Sequence, residues 1–139
     1  MENTFEVIDH TADIGIVAYG SDIEQLYVNA SLGMCSLITD LDNLNEDLCH
    51  IIDLASTDRE NLLVEWLNEL LYIFEVDHII FKKFEIDNLT NNQIRARCFG
   101  EKINIQQHKI IREIKAATYH MLAIVKENDI FRARVIFDI

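Results

Sequence analysis

The chain has 139 residues, of which 50% are apolar and 26% charged, with 24 acidic against 12 basic side chains and a net charge of −12. Four Gly, no Pro and the lack of a tandem period exclude collagen-like and low-complexity proteins, while seven Phe and four Tyr argue against disorder. No window supplies the roughly 18 consecutive apolar residues of a membrane-spanning helix. We therefore expect one domain over residues 1–139 and no membrane partner.

Acidic side chains are concentrated in the first part of the chain. Residues 1–58 contain 12 Asp and Glu and no Lys or Arg, whereas the rest contains 12 basic and 12 acidic residues. Nucleic acids select basic surfaces, so we expect no tight direct binding of RNA or DNA. A metal ion or a basic protein partner suits an acidic surface, and solubility alone is the alternative explanation.

The densest polar cluster, Asp9–Gly15, lies between two short strand-like segments and is predicted to form a loop. The carboxylates of Asp9 and Asp13 are hard oxygen donors that suit Ca²⁺ or Mg²⁺. His10 could serve as a ligand, a general base or an orienting hydrogen-bond partner. A turn in which Asp and Thr side chains bond local backbone amides is the alternative.

Two amphipathic helices are predicted, each after a capping box in which Ser or Thr and a Glu three residues later satisfy each other's free amides. The boxes are Ser21–Glu24 and Thr57–Glu60. Apolar residues then recur at helical spacing from Ile23 to Ile38 and from Leu62 to Phe74. We interpret the second stripe, which contains Trp66, as a packing face and not as a cofactor site.

Strand-like runs fill the rest of the chain, and two of their connections carry residues typical of hairpin turns. These turns are Asn88–Asn92 and Glu127–Asp129. The predicted strands are Leu48–Ser56, His78–Ile86, Ile94–Phe99, Tyr119–Lys126 and Ile130–Asp138. The elements predict an α+β fold, in which two main helices pack on a mixed, largely antiparallel β-sheet in a single compact domain.

Two further segments carry candidate site residues. Residues 100–120 include Lys115, which could bind phosphate or pair with a carboxylate, and His120, which could face a cleft. At the chain end, Asp138 and the α-carboxylate of Ile139 repel each other unless a cation or basic side chain lies between them. Purely structural roles, including an exposed chain end with Asp138 near an arginine, are the alternatives.

The three cysteines, Cys35, Cys49 and Cys98, are odd in number and lack CxxC spacing. This pattern disfavours a disulfide framework or a cysteine-type zinc site, so we expect all three to pack as small core residues. The N-terminus lacks the basic start and apolar region of a signal peptide. We therefore expect a reduced, cytoplasmic protein.

Four sequence blocks, in this order, resemble the archease family. They are DHTADIGIVAYG (Asp9–Gly20), LLVEWLNELLYIFE (Leu62–Glu75), GE…H…EIKAATYHML (Gly100–Leu122) and VIFDI (Val135–Ile139). One block alone would be a weak signal, whereas four ordered blocks that nearly span the chain are specific. The resemblance implies a protein cofactor of the RtcB-type RNA ligase in tRNA splicing and RNA repair, and not a stand-alone enzyme.

That ligase joins 3′-phosphate or 2′,3′-cyclic-phosphate RNA ends to 5′-hydroxyl ends, through a histidine–GMP intermediate that requires GTP and a divalent metal. The resemblance implies that this chain promotes guanylylation of the ligase and multiple turnover. It also implies a metal site formed by Asp13, Asp138 and Ile139 through its terminal carboxylate, with calcium as the ion. Magnesium and manganese suit the same oxygen donors. Lys115 matches a lysine tied to activity in the family, and His10 is a supporting candidate.

The chain departs from the family pattern at Asn104, where an acidic residue is usual, and at Gln107, where Arg is frequent. Both departures disfavour a salt bridge through these positions. Two other functions remain as alternatives. One is a small metal-dependent phosphoesterase that holds its metal with Asp13 and Asp138 and uses His10 as general base. The other is a protein-interaction module with a purely structural ion.

Overall fold

The computed structural model describes residues 4–9 and 13–139. The first half of the chain forms, in order, β1 (Phe5–Asp9), β2 (Ile14–Gly20), α1 (Ile23–Ile38), a short 3₁₀ helix (Leu41–Asn43), β3 (Leu48–Ala55) and α2 (Arg59–Asp77). The second half consists of strands only: β4 (Ile79–Leu89), β5 (Gln93–Lys102), β6 (Ala116–Ala117), β7 (Ala123–Glu127) and β8 (Ile130–Asp138). No helix of the described residues has both the length and the apolar character needed to cross a membrane.

Both predicted helices are present, but each is capped one residue later than its predicted capping box. Asp22 caps α1 by accepting a hydrogen bond from the N–H of Gln25 at 2.7 Å. Asp58 caps α2 by accepting one from the N–H of Asn61 at 2.8 Å. The capping boxes were therefore wrong. In both cases an Asp, which is as good an N-cap as Ser and carries the charge that the helix dipole favours, follows the Ser or Thr and takes the position.

The strands form two sheets. The first contains five strands in the order β1-β2-β8-β6, with β7 also paired to β8, and the second contains three in the order β3-β5-β4. Every pairing among the described residues is antiparallel. The predicted α+β class with two helices on a largely antiparallel sheet is confirmed. The prediction had one sheet, whereas the structure has two. Local sequence patterns do not show which distant strands pair with each other.

Both predicted hairpins are confirmed. Between β4 and β5, the N–H of Thr90 donates to the carbonyl of Gln93 at 2.8 Å. Between β7 and β8, Asn128 and Asp129 have φ values of 53° and 64°, the left-handed conformation that a type I′ turn needs at both central residues. Asn and Asp tolerate this conformation better than most residues do, so the turn chemistry fixes the register of the last hairpin.

The core lies where the helices meet both sheets, since α1 contacts β2 and β4 while α2 contacts β6 and all strands of the second sheet. Trp66 is buried on α2, donates from its indole Nε1 to Ser31 Oγ at 2.7 Å, and packs edge-on against Phe84. Its predicted role as a packing residue is confirmed. The two helices and the two sheets therefore share one hydrophobic core.

The cysteines divide between core and surface. Cys35 and Cys98 are buried as predicted, and burial raises the pKa of the Cys35 thiol to about 12. Cys49 is exposed, so the prediction that all three pack in the core was wrong for this residue. Cys49 pairs with Phe99 on the face of the second sheet that carries the charged residues Arg95 and Arg97, which explains its exposure.

Candidate functional site

Asp13 and Asp138 become neighbours through the pairing of β2 with β8. Ile14 pairs with Phe137 in the antiparallel ladder, Asp13 directly precedes Ile14, and Asp138 directly follows Phe137. Cβ atoms of opposite residues in such a ladder are about 4.5–5.5 Å apart. Asp13 is half-buried and Asp138 is exposed. Extending this ladder by one residue puts Asp13 opposite Asp138, so both acidic residues lie at the same end of the first sheet.

Lys115 lies on the other side of Asp138. Ala116 of β6 pairs with Asp138, and the backbone N–H of Lys115 donates to the carbonyl oxygen of Asp138 at 2.8 Å. The Lys115 side chain is exposed, as is Ile139, which retains 49% of its accessible surface. Four residues proposed from three distant parts of the sequence therefore lie at one sheet end, where strand alternation puts the Asp13 and Asp138 side chains on one face and the Lys115 and Ile139 side chains on the other.

Asp9 reaches the same end of the sheet but on the opposite face. It pairs with Ile14, and residues paired across a ladder point to the same side. Continuing the alternation of β2 by one residue places the Asp13 side chain on the other side. Asp9 is thus separated from Asp13 and Asp138, although composition makes it an equally good donor. His10 lies outside the described residues.

The donors at this end are all oxygen atoms. Within residues 4–9 and 13–139, no three His, Cys, Asp or Glu side chains form a cluster that would hold a metal. A site here would combine the Asp13 and Asp138 carboxylates with the α-carboxylate that the family resemblance assigns to Ile139. Oxygen donors of this kind fit a hard divalent cation such as Ca²⁺ and leave ligand positions for water or a partner. They do not fit a thiophilic metal.

Comparison with known proteins identifies the family. The family model described as "Archease protein family (MTH1598/TM1083)" matches residues 5–139. The chain belongs to the archease family. A "Protein archease" from Methanosarcina barkeri is 43% identical, over 97% of this chain and 95% of its own length. The "Protein archease-like" of Drosophila melanogaster is 32% identical, over 91% of this chain and 83% of its own length.

Two solved structures share the archease fold seen here. The solution structure of Methanobacterium thermoautotrophicum protein 1598 is 37% identical, covers 98% of this chain and 99% of its own, and superposes with a TM-score of 0.83. A Thermotoga maritima crystal structure, described as "an archease, possible chaperone", is 20% identical, with coverages of 95% and 94% and a TM-score of 0.66. The second likeness shows the fold alone.

The segment before β6 has a structural role at His108. This ring is buried, accepts the N–H of Asn104 at Nδ1 (3.0 Å), and lies with Nε2 2.9 Å from Glu101 Oε1. Since Nδ1 accepts, the proton lies on Nε2. Glu101 also accepts the N–H of Asn45 at 2.9 Å, and this bond is the main cause that lowers the pKa of Glu101. His120 is exposed after β6, where its N–H donates to Thr118 Oγ1 at 3.3 Å.

The departures from the family pattern fall in the same turn. Asn104 bonds within the turn, where its Oδ1 accepts the N–H of Gln106 at 3.0 Å, and Gln107 is exposed. No salt bridge of the described residues involves either position, which agrees with their uncharged side chains.

Asn68 is a residue that sequence reasoning missed. Its Nδ2 donates to the carbonyl of Ala117 at 3.1 Å, and its Oδ1 accepts the N–H of Ala117 at 2.8 Å. The only signal in the sequence is a polar residue within the apolar stripe of α2, next to Leu67 and before Leu70. The interpretation of this stripe as a packing face is correct for the leucines. It does not account for Asn68, whose side chain bonds the backbone of Ala117.

Proposed function

We propose that this archease is a metal-binding accessory protein that activates an RtcB-type RNA ligase in cytoplasmic tRNA splicing and RNA repair, and that it has no catalytic activity of its own. Family membership supports the proposal. The observation that carries it is the register of β8: Ile14, next to Asp13, pairs with Phe137, and Ala116, next to Lys115, pairs with Asp138. Asp13, Asp138 and Lys115 are the ones that the family resemblance connects with metal binding and activity.

The residues at the sheet end suggest how they would act together. The carboxylates of Asp13 and Asp138 repel each other, and a cation between them offsets this repulsion. A divalent cation bound there would polarise phosphate oxygens and stabilise negative charge that develops on them. Calcium is the ion we expect, and Mg²⁺ or Mn²⁺ would use the same donors. Lys115 adds a compact positive charge that can contact a phosphate or an acidic group of the ligase.

The test uses the cognate RtcB-type ligase at limiting concentration, with GTP, Mn²⁺ or Mg²⁺, and RNA carrying 3′-phosphate and 5′-hydroxyl ends. Guanylylated ligase and ligated RNA per ligase are measured with and without this protein. We expect several turnovers with the wild type and about one without it. Asp138→Asn should return the ligase to single turnover, and Lys115→Ala should lower the number of turnovers while leaving it above one.

The matched controls are Lys126→Ala and Asp9→Asn. Lys126 is an exposed lysine of the same sheet that pairs near the far end of β8, with Phe131, and Asp9 is on the opposite face of the sheet end. Both variants should support turnover as the wild type does. A folded wild type that changes neither guanylylation nor turnover would contradict the proposal. Phosphate release by the protein alone, lost in Asp13→Asn, would instead establish the phosphoesterase alternative.

A further inference from the structure

β6 is the shortest strand among the described residues. It has two residues, Ala116 and Ala117, whose side chains are single methyl groups. On one side it pairs with β8, and Thr118 after it donates from both its N–H and its Oγ1 to the carbonyl of Ile136, at 2.9 and 2.8 Å. On the other side the structure gives it the side chain of Asn68.

The Asn68 amide takes the place of a neighbouring strand. A primary amide has one carbonyl and one NH₂ group, so it can donate to and accept from the same peptide unit. Asn68 does both with Ala117, which is 4% exposed. This two-point contact from α2 satisfies backbone groups of β6 that would otherwise be buried without partners.

The register of β6 decides where Lys115 lies. A slip of one residue turns every side chain of a strand to the other face, and two alanines provide little packing to resist it. Lys115 directly precedes Ala116, and its own N–H is bonded to Asp138. A contact that fixes Ala117 therefore also fixes Lys115 relative to Asp138.

We propose that Asn68 is a positioning residue: through its bonds to Ala117 it holds β6 in register and thereby keeps Lys115 beside Asp138. This inference rests on the proposed function for its effect on the ligase. Its effect on the backbone of β6 does not depend on that function, and the two effects are measured separately.

The first measurement is a double-mutant cycle on ligase turnover with Asn68→Ala and Lys115→Ala. Because supporting residues of a site typically contribute ten- to hundredfold, Asn68→Ala should lower stimulation by roughly tenfold or more. If Asn68 acts through Lys115, the double variant is no worse than Lys115→Ala alone. Unchanged stimulation in Asn68→Ala, or additive losses in the double variant, would overturn the proposal.

The matched control is Asn61→Ala. Asn61 is on the same helix, but its side chain donates to Thr57 Oγ1 and Asp58 Oδ2 at the helix start. Ile52→Val, a small change in the buried face of β3, controls for a loss of stability alone. Both should stimulate the ligase as the wild type does. If Asn68→Ala does not fold, Asn68→Asp, which has the same shape and keeps an acceptor for the Ala117 N–H, replaces it in the cycle.

The second measurement is amide hydrogen exchange by NMR, without ligase. In Asn68→Ala the amides of Lys115 and Ala117 should exchange faster, whereas the amides of β5 should not change. Equal exchange at Lys115 in wild type and variant would overturn the positioning role, whatever the ligase does. Faster exchange at Lys115 with a wild type that fails to stimulate any ligase would contradict the proposed function and leave the positioning role supported.

Discussion

β5 and β6 are both flanked on two sides, but in different ways. β5 has ten residues and is bonded along its length to β3 and to β4. β6 has two residues, bonded to β8 on one side and to a single side chain on the other. Many backbone hydrogen bonds hold β5 in place, so the loss of any one of them would not move the strand. In β6 each bond matters, and the comparison indicates that stability and site geometry depend on different regions of the molecule.

The two faces of β5 explain why it serves stability. Ile94, Ala96 and Cys98 are buried against the helices, while Arg95 and Arg97 face outward. The outward face carries exposed ion pairs, such as Arg95 with Asp53 at 3.2 Å and Arg97 with Asp87 at 3.0 Å. Exposed pairs of this kind contribute little because water and salt screen them. The buried face therefore supplies most of the stability of this sheet.

The largest effect on stability is expected from a substitution in the buried face of β5. Ile94→Ala removes a fully buried side chain and should lower the free energy of unfolding by about 2–5 kcal/mol, measured by urea denaturation. Ligase stimulation per folded molecule should be unchanged, because β5 does not reach the site. A loss of stimulation without a loss of stability would contradict the division between the two regions.

A smaller effect is expected at Gly100 of β5. A Cβ there would lie 1.9 Å from the carbonyl oxygen of Ile80 and 2.7 Å from Phe81 Cα, both backbone atoms. Gly100→Ala should therefore cost about 1–3 kcal/mol through overpacking, again measured in urea. The matched control is Gly33→Ala, whose nearest neighbour is the movable Ile16 Cδ1 at 3.0 Å. Equal stabilities of the two variants would contradict this reading of β5.

The smallest effect is expected from the Glu101 network at low pH. The N–H of Asn45 lowers the pKa of Glu101 below its usual 4.5, so folding favours the ionised carboxylate. This contribution is present above the pKa of the unfolded chain and is lost as the pH falls through the lower folded pKa. Glu101→Gln should therefore flatten the fall of the melting temperature below about pH 4.5. The same dependence of melting temperature on pH in the wild type and in Glu101→Gln would contradict this prediction.

The helices and hairpins could be predicted because their signals are local. Apolar spacing located α1 and α2, and the turn at Asn128 and Asp129 located the last hairpin. The helix starts were misplaced by one residue, since Ser21 and Asp22 are both good caps and only the backbone conformation selects between them. The division into two sheets depends on pairings between distant strands, which no local pattern encodes.

The site was predictable only in part for the same reason. Composition alone treated Asp9 and Asp13 alike, and the family resemblance selected Asp13. The register of β2 with β8 puts Asp13 opposite Asp138 and Asp9 on the other face of the sheet, and our proposal of Asp13 as the ligand rests on this difference. Asn68 was missed because its partner Ala117 is 49 residues away in the sequence, and an isolated Asn in a helix gives no sign of such a contact.

The central claim is that the register of β2 with β8 builds one cation site from Asp13 and Asp138. It is tested most directly by calorimetric titration of Ca²⁺ into the wild type and the variants Asp13→Asn, Asp138→Asn and Asp9→Asn. We predict one ion per chain, an affinity lowered by roughly tenfold or more in each of the first two variants, and an unchanged affinity in Asp9→Asn. Wild-type affinity in Asp138→Asn, or a loss in Asp9→Asn equal to that in Asp13→Asn, would contradict the claim.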